Sequence, residues 1–387
     1  MNRFNLSKRV LETHPPIMQA MKSLKRGSEA IDLSQGIPYF DPPGGITDKV
    51  LSEAPEVNIY GPDAGDSDLR ELISVRVRDR YGYGPDPYRG VVVTSGANIA
   101  FFEVISAICD VGDEVILLSP YYFNHKMALD ILGVRSVIVT TDRDHIPDID
   151  EIKASITKRT RAVVLVSPNN PTGVVYPRWL LQALGEMCHN SGIYLITDET
   201  YEDFVYNGEH HSGLRLMNDL EGVISIFSLS KAYGISGWRI GFTIFPEWIF
   251  DSLLKVQDTT VICPTRISQR LAYHILKSHP GPMTDNIEYL GENCKMVNGW
   301  LEENVEYINA PKTTGAFYSY PSVSAGICKG DPLALVKEIL KECGVLVVPG
   351  TPFGSEDDPV FRISFGNVRH ELLREALDRI SQWLEKV

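Results

Sequence analysis

The sequence predicts an α/β protein in which a mainly parallel seven-stranded sheet is flanked by helices, together with a smaller α+β region. Short β-branched runs alternate with longer segments of helical spacing through the middle of the chain, which is typical of a parallel sheet covered on both faces. After about Pro264 the pattern changes to long helices and short strands. At 387 residues and 43% hydrophobic composition, the chain can bury a large core.

Seven short apolar runs are the predicted strands of the large sheet. They are Val91–Thr94, Glu114–Leu118, Ser136–Thr140, Ala162–Ser167, Ile193–Thr197, Val223–Phe227 and Ile240–Phe245. Between them, Ala97–Ile108, Lys126–Leu132 and Trp179–Ser191 space their apolar residues as helices do, and a glycine follows each of them closely.

The later part of the chain predicts a different arrangement. Helices are expected over Ile267–Ser278 and Ile287–Asn304, and short strands near Ala316–Tyr320, Val345–Val348 and Phe361–Phe365. The Pro/Gly-rich residues 37–46 are typical of a linker. We therefore expect a large domain over residues 47–278 and a small domain made of residues 1–46 plus 279–387.

The charge and cysteine content of the chain disfavour several classes of function. The net charge of −13 disfavours binding to nucleic acid or an anionic membrane, so an anionic ligand would need a local basic pocket. The six cysteines form no CxxC pair and no metal-ligand spacing, which indicates reduced thiols and no metal site. The first residues are polar and lack the apolar run of a signal peptide, so we expect a cytoplasmic protein.

One segment after the sixth predicted strand concentrates the candidate chemistry. Residues 228–241 read Ser-Leu-Ser-Lys-Ala-Tyr-Gly-Ile-Ser-Gly-Trp-Arg-Ile-Gly, so small residues surround Lys231 and let the backbone approach a ligand closely. A desolvated lysine near a second cation loses its proton readily and attacks carbonyls to form a Schiff base. Arg239 would supply that cation while binding an anion such as phosphate. The alternative is a solvated lysine and a surface ion-pair arginine.

The Ser-x-Ser-Lys-x-x-Gly-x-x-Gly-x-Arg pattern of this segment resembles that of the class I aminotransferases, a fold type I family of pyridoxal-phosphate enzymes. The resemblance extends over nearly the whole chain, with the other motifs in the family's order. It implies that Lys231 forms an aldimine with pyridoxal 5'-phosphate and that Ser228 and Arg239 hold the cofactor phosphate.

The sequence Thr-Ser-Gly-Ala-Asn at residues 94–98 follows a predicted strand and opens a predicted helix. Backbone N–H groups and the helix dipole can hold a phosphate at such a turn, although many similar turns bind nothing. By the resemblance, Gly96, Ala97 and Asn98 form the phosphate cup of the cofactor site.

The turn Ser-Pro-Asn-Asn-Pro-Thr-Gly at residues 167–173 ends another predicted strand and is rigid enough to aim an amide side chain. The resemblance implies that Asn170 bonds the ring hydroxyl of the cofactor and contacts the substrate. It also implies a cis Asn170–Pro171 bond. Without the resemblance, an ordinary turn capped by an Asn side chain is the simpler interpretation.

Asp198 and Tyr201 follow the next predicted strand, in the sequence Asp-Glu-Thr-Tyr. A carboxylate at a strand end can pair with a protonated pyridine nitrogen, which keeps the ring an effective electron sink. The resemblance implies this role for Asp198, and for Tyr201 a hydrogen bond to the ring hydroxyl. Taken alone, Asp198 would be interpreted as a helix N-cap.

Two tyrosines have roles implied by the resemblance. Tyr122 corresponds by register to the aromatic residue that stacks on the cofactor ring, although Tyr121 or Phe123 are alternatives and any of the three could be core. Tyr60 lies in a loop that relatives insert into the neighbouring subunit, where it reaches the phosphate. The chain would then be a homodimer with shared active sites.

The substrate site is predicted from residues at both ends of the chain. Arg362 presents a planar fork of donors that matches a carboxylate, and the resemblance implies that it anchors the substrate α-carboxylate beside Gly36. Taken alone, it would be an exposed ion-pair arginine. Arg266 could instead pair with a dicarboxylate, or be a surface charge. The aromatic residues that would line an apolar side-chain pocket are Phe317, Tyr318 and Tyr39.

Together these motifs predict an aminotransferase that moves an amino group between an L-amino acid, aromatic or of broad range, and a 2-oxo acid. A lyase or oxidase using the same cofactor is the alternative, because the cofactor residues do not distinguish these reactions. A sensor that binds the cofactor without turnover is a third hypothesis. Its weakness is that Asp198, Lys231 and Arg362 together exceed what binding alone requires.

Overall fold

The computed structural model describes residues 5–25, 29–53, 57–324, 326–327, 331–356 and 358–386. Its strands are β1 (Ile31–Asp32), β2 (Val91–Thr94), β3 (Glu114–Ser119), β4 (Arg135–Thr140), β5 (Thr160–Val166), β6 (Tyr194–Asp198), β7 (Val223–Ser228), β8 (Gly241–Ile244), β9 (Ile308–Asn309), β10 (Tyr318–Ser319), β11 (Ser322–Val323), β12 (Val345–Leu346), β13 (Val348–Pro349) and β14 (Phe361–Ser364). Its α-helices are α1 (Lys8–Glu12), α2 (Ile17–Lys25), α3 (Ile46–Ser52), α4 (Ser67–Tyr81), α5 (Ala97–Ile108), α6 (Phe123–Leu132), α7 (Ile149–Ala154), α8 (Arg178–Ser191), α9 (Leu229–Ala232), α10 (Phe250–Val261), α11 (Arg266–Ser278), α12 (Thr284–Glu303), α13 (Pro332–Cys343) and α14 (His370–Leu384).

The large sheet has seven strands in the order β2-β8-β7-β6-β5-β3-β4. Strand β8 pairs antiparallel with both β2 and β7, while the other neighbours pair in parallel. The predicted α/β class and its mainly parallel seven-stranded sheet are therefore confirmed, and the predicted strand ends differ from the observed ones by one or two residues at most.

Side chains of the sheet alternate between two apolar layers. Along β3, Val115 and Leu117 pack with Val104 of α5, whereas Ile116 and Leu118 pack with Leu184 of α8 on the opposite face. Strands covered on both faces by helices are apolar throughout, which explains why these runs are continuous rather than alternating.

The first and last parts of the chain share one core. Strand β1 pairs in parallel with β12, and β10, β14 and β13 form a three-stranded antiparallel sheet. Met21 of α2 and Leu33 pack in one apolar cluster with Trp300 of α12 and Trp383 of α14. Residues separated by more than 300 positions in sequence therefore share one apolar core.

Five cysteines lie in the described residues, and all are free thiols: Cys109, Cys188, Cys263, Cys294 and Cys343. Cys328 lies outside the described residues. Among the described helices, none combines the length and apolar character needed to cross a membrane.

Candidate active site

The carboxyl ends of the parallel strands meet at one edge of the sheet, where most of the predicted site residues lie. Asp198 ends β6, Asn170 follows β5, and Lys231 follows β7 in α9. Because β8 runs in the opposite direction, its first residue is at the same edge, and Arg239 just precedes it. Ligands of open α/β sheets bind outside this edge.

A cavity of about 390 Å³ opens at this edge of the sheet. Of the residues predicted to bind the cofactor or the substrate α-carboxylate, all except Gly96 and Tyr60 line it. They are Gly36, Ala97, Asn98, Tyr122, Asn170, Asp198, Tyr201, Ser228, Lys231, Arg239 and Arg362. Residues 16–18 and Lys22 form a further wall that sequence reasoning did not predict.

Lys231 presents its amine to this cavity. Its Nζ donates a hydrogen bond to the backbone oxygen of Gly36 at 2.7 Å. Burial, together with the positive charges of Arg239 and Arg362, lowers the pKa of the Lys231 ammonium to about 8. At pH 7 about a tenth of this side chain is therefore the neutral amine, the form that attacks a carbonyl, and the fraction rises steeply toward pH 8.

Arg239 lies beside the N-terminus of α5. Its Nη1 donates to the backbone oxygen of Ser236 at 3.0 Å and lies 3.5 Å from Ser230 Oγ, while Ser228 Oγ accepts a hydrogen bond from the Ser230 backbone N–H. Gly96 caps α5 with a φ of +87°, and a Cβ there would lie 2.5 Å from Arg239 Nη2. A guanidinium beside the first backbone N–H groups of a helix, which have no acceptor within that helix, can bind an anion such as phosphate.

Asp198 is buried and held by two partners. His125 Nε2 lies 3.1 Å from Asp198 Oδ2, and the other carboxylate oxygen accepts from the backbone N–H and hydroxyl of Thr200. Burial by itself would raise the pKa of the Asp198 carboxyl, but His125 and Thr200 outweigh it and hold that pKa below its ordinary value. Sequence reasoning missed His125, which stacks on Phe101 with ring centroids 4.0 Å apart.

Arg362 of β14 is almost fully buried on the opposite wall. Its Nη2 donates to the backbone oxygen of Ser34 at 2.7 Å, and its Nη1 donates to Asn170 Oδ1 at 2.9 Å. Its Nε has no hydrogen-bond partner within the described residues. A buried guanidinium held only by neutral acceptors keeps its charge available, which suits the carboxylate of a ligand.

Two tyrosine hydroxyls connect these groups. Tyr201 and Tyr318 share a hydrogen bond at 2.7 Å, and Asn170 Nδ2 donates to the Tyr201 hydroxyl at 3.4 Å. Burial raises the pKa of Tyr201 well above its ordinary value, so its hydroxyl remains protonated and available as a donor. Tyr318 lines the cavity as predicted, whereas Phe317 and Tyr39 are not among its lining residues.

The Asn-Asn-Pro-Thr-Gly turn differs from its prediction in one respect. The cis peptide bonds of the described residues are Ser119–Pro120 and Ser167–Pro168, so the expected cis Asn170–Pro171 bond is wrong. Asn169 closes the turn instead. Its side-chain oxygen accepts from the Thr172 backbone N–H and its backbone oxygen from that of Gly173, which stabilises the turn with Pro171 in trans.

The aromatic candidates separate in the structure. Tyr122 lines the cavity, with its hydroxyl donating to Asn98 Oδ1 at 3.3 Å, and Phe123 also lines it, while Tyr121 packs in the core. Tyr60 is 76% exposed and lies away from the cavity of its own chain. Arg266 pairs with Asp66 at 3.3 Å and is likewise not among the lining residues.

A buried charge cluster lies behind the Asp198–Tyr201 segment, and we define it as Arg76, Arg80, Tyr81, Glu202 and Asp203. Arg76 Nη2 lies 2.9 Å from Glu202 Oε1 and 3.8 Å from Asp203 Oδ2. Arg80 pairs with Asp203 and lies 3.5 Å from Glu202, and Tyr81 donates to Glu202. Helix α4 thereby holds the chain just beyond Tyr201.

Comparison with known proteins shows similarity over almost the full length. The family profile described as aminotransferase class I and II matches residues 28–380. An aromatic aminotransferase from Arabidopsis thaliana is 32% identical over 99% of this chain and 97% of the relative, and an aspartate/prephenate aminotransferase from Thermus thermophilus is 31% identical over 95% and 94%. The solved structure of a single mutant of the Thermus thermophilus aspartate aminotransferase superposes with a TM-score of 0.90 at 31% identity, over 98% of this chain and 99% of that one.

Proposed function

The chain belongs to the aminotransferase class I and II family and is a pyridoxal-phosphate-dependent aminotransferase, and we propose that its donors are aromatic or other apolar L-amino acids. The observation that carries the proposal for the site is the half-buried Lys231 amine, whose pKa is lowered by burial and by Arg239 and Arg362. One amine thus lies near two separate cations that can each hold an anionic group.

The residues of the cavity fit pyridoxal phosphate. Gly96 leaves room beside Arg239 at the N-terminus of α5, where a phosphate would be held by amides and a guanidinium. Asp198 offers an ionised carboxylate for the pyridine nitrogen, and Lys231 offers an amine for the aldehyde. When bound, the cofactor supplies an electron sink for the substrate carbanion.

We assign the remaining steps to side chains of this chain. Arg362 binds the substrate α-carboxylate, with its orientation held by Ser34 and Asn170. The Lys231 amine removes the proton from the substrate Cα and returns it at a later step. Tyr201 donates a hydrogen bond that orients the reacting groups. His125 acts through Asp198, which it keeps ionised.

The visible spectrum of the holoenzyme tests this assignment. Phenylalanine alone should convert the cofactor band, and phenylpyruvate or 2-oxoglutarate should restore it, because the two half-reactions are separable. Lys231→Ala should retain phosphate-dependent cofactor binding yet lose the conversion. Release of ammonia, a thiol or peroxide without any 2-oxo acid would contradict transamination and favour the lyase or oxidase alternative.

The proposed donor class is supported by the lining of the cavity. Ile17, Met18, Ile37 and Phe123 contribute apolar surface. The relative from Arabidopsis thaliana is named an aromatic aminotransferase, which agrees with such a surface. We expect kcat/KM for phenylalanine to exceed that for aspartate, since an aromatic ring gains from apolar contact. A higher value for aspartate would contradict this choice of donor.

Three further properties belong to this proposal. We propose a homodimer in which Tyr60, exposed in the single chain, reaches the cofactor phosphate of the partner subunit. We propose a cytoplasmic location. We also propose that residues 47–278 form the large domain and residues 1–46 with 279–387 the small one, which is supported by the shared core of α2, β1 and α14.

A further inference from the structure

The chain segment that enters helix α6 lies along one side of the cavity. Tyr122, Phe123 and Asn124 are among the lining residues. Tyr122 precedes the helix with an extended backbone, and its carbonyl oxygen accepts a hydrogen bond from the His125 N–H at 3.0 Å. The main chain that carries these side chains is therefore fixed where the helix begins.

The hydroxyl of Tyr122 is held on two sides by amide side chains. Asn124 Nδ2 donates to Tyr122 Oη at 2.9 Å, and Tyr122 Oη in turn donates to Asn98 Oδ1 at 3.3 Å. Asn98 belongs to the first turn of α5, so the two amides come from different helices. Burial raises the pKa of the Tyr122 phenol, which therefore keeps the proton that it donates.

The plane of the Tyr122 ring is restrained as well. The His125 ring meets it nearly edge-on, with the two centroids 5.1 Å apart and an angle of 87° between the planes. His125 is itself held in place, because its Nε2 lies 3.1 Å from Asp198 Oδ2. The amides fix the end of the Tyr122 side chain and the imidazole restrains its plane, so one orientation of the ring at the cavity is favoured.

The contact of Asn124 is not that of an ordinary helix cap. Asparagine near the start of a helix commonly accepts hydrogen bonds from free backbone N–H groups. In the described part of the chain, the hydrogen bond of the Asn124 side chain goes to the Tyr122 hydroxyl instead. The side chain therefore stabilises the position of Tyr122 rather than the end of α6.

We propose that Asn124 is a positioning residue of the cofactor site, an inference that rests on the proposed function. Together with Asn98, it holds the Tyr122 hydroxyl so that the ring presents its face to the pyridine ring of the bound cofactor. A ring that is already oriented loses less conformational freedom on binding, so more of the stacking contributes to affinity. Asn124 acts through Tyr122 and needs no contact with the reacting atoms.

Titration of the apoenzyme with pyridoxal phosphate tests this role, with the Kd from intrinsic fluorescence and the orientation of the cofactor from the circular dichroism of its visible band. For Asn124→Ala we expect the Kd to rise about fivefold, as for the loss of one hydrogen bond, and the dichroism of the band to weaken. The control is Asn190→Ala, which removes the same amide from an exposed position of α8 that does not line the cavity. It should change neither quantity.

A double-mutant cycle shows whether Asn124 acts through the Tyr122 hydroxyl. Tyr122→Phe keeps the ring and removes the hydroxyl, so adding Asn124→Ala to this variant should change neither the Kd nor the dichroism. The same loss in both backgrounds, or no loss in the background that retains Tyr122, would overturn the proposal. Failure of the proposed function is distinct, because it would appear in the unsubstituted enzyme as a cofactor band that no amino acid converts.

Discussion

Removing the charge of Arg76 measures how much the buried charge cluster contributes to stability. In Arg76→Met, Glu202 and Asp203 lose a guanidinium nitrogen that lies 2.9 Å and 3.8 Å from their oxygens. Arg80 remains, so two buried carboxylates then share one cation. Breaking a buried ion pair by removing one partner costs about 3 kcal/mol, and we expect the free energy of unfolding to fall by that amount.

Urea unfolding followed by intrinsic fluorescence measures this change. Protein and cofactor concentrations are kept constant, because ligand binding and association shift apparent stability. Arg78→Met is the matched control on the same helix, since Arg78 is 60% exposed and pairs at 3.6 Å with Asp79, which is also exposed. A surface substitution of this kind changes stability by less than about 0.5 kcal/mol.

The comparison between the two variants decides the outcome. If the free energy of unfolding of Arg76→Met falls by less than about 1 kcal/mol, the loss is no larger than that of an ordinary hydrogen bond. Arg76 would then not neutralise a buried carboxylate, and the reasoning is refuted. The double variant Arg76→Met/Glu202→Gln should regain part of the loss, because it removes the uncompensated charge. No recovery would point to lost packing rather than electrostatics.

Three other predictions follow from the site. Gly96→Ala forces a methyl group to within 2.5 Å of the Arg239 Nη2 atom, at a φ of +87° that side chains rarely adopt. Titration of the apoenzyme with the cofactor should therefore show about tenfold weaker binding. Unchanged affinity would contradict the phosphate site. In His125→Phe the pKa of Asp198 should rise, because burial raises this pKa and the imidazole that lowers it is gone. The acid limb of the kcat profile should therefore move to higher pH, with kcat about tenfold lower at neutral pH, and an unmoved limb would exclude this role. Mixing Tyr60→Ala with Lys231→Ala subunits should restore activity, because one site of each hybrid dimer is intact; no recovery on mixing would exclude sharing.

The large sheet could be predicted because its strands are buried on both faces. Continuous apolar runs such as Ala162–Val166 are required where helices cover both sides, and parallel pairing brings the carboxyl ends of such strands to one edge. Lys231 and Asp198 could therefore be placed near each other from strand order and motif alone. Helix α6 begins at Phe123, before the predicted Lys126, because Phe123 packs inward as an extra apolar residue of that helix.

The residues that were missed share a physical reason. His125 is a single histidine within a helix, and only the fold brings its ring to Asp198. Ser34 contributes a backbone oxygen, which any residue type would supply. The wall at Ile17 and Met18 comes from a short amphipathic helix whose pattern does not reveal which surface it covers. Long-range contacts of this kind leave no local periodicity in the sequence.

The pairing of β1 with β12 also sets an order of maturation during synthesis. The strands of the large sheet, with Lys231 and Arg239, have all left the ribosome before Val345 and Arg362 are translated. Since chains tend to fold from the N-terminal side as they emerge, the phosphate pocket can assemble first. The arginine that binds the substrate carboxylate is added last, when Arg362 forms its hydrogen bond with the backbone oxygen of Ser34. A nascent chain would thus acquire its cofactor pocket before it acquires a place for its substrate.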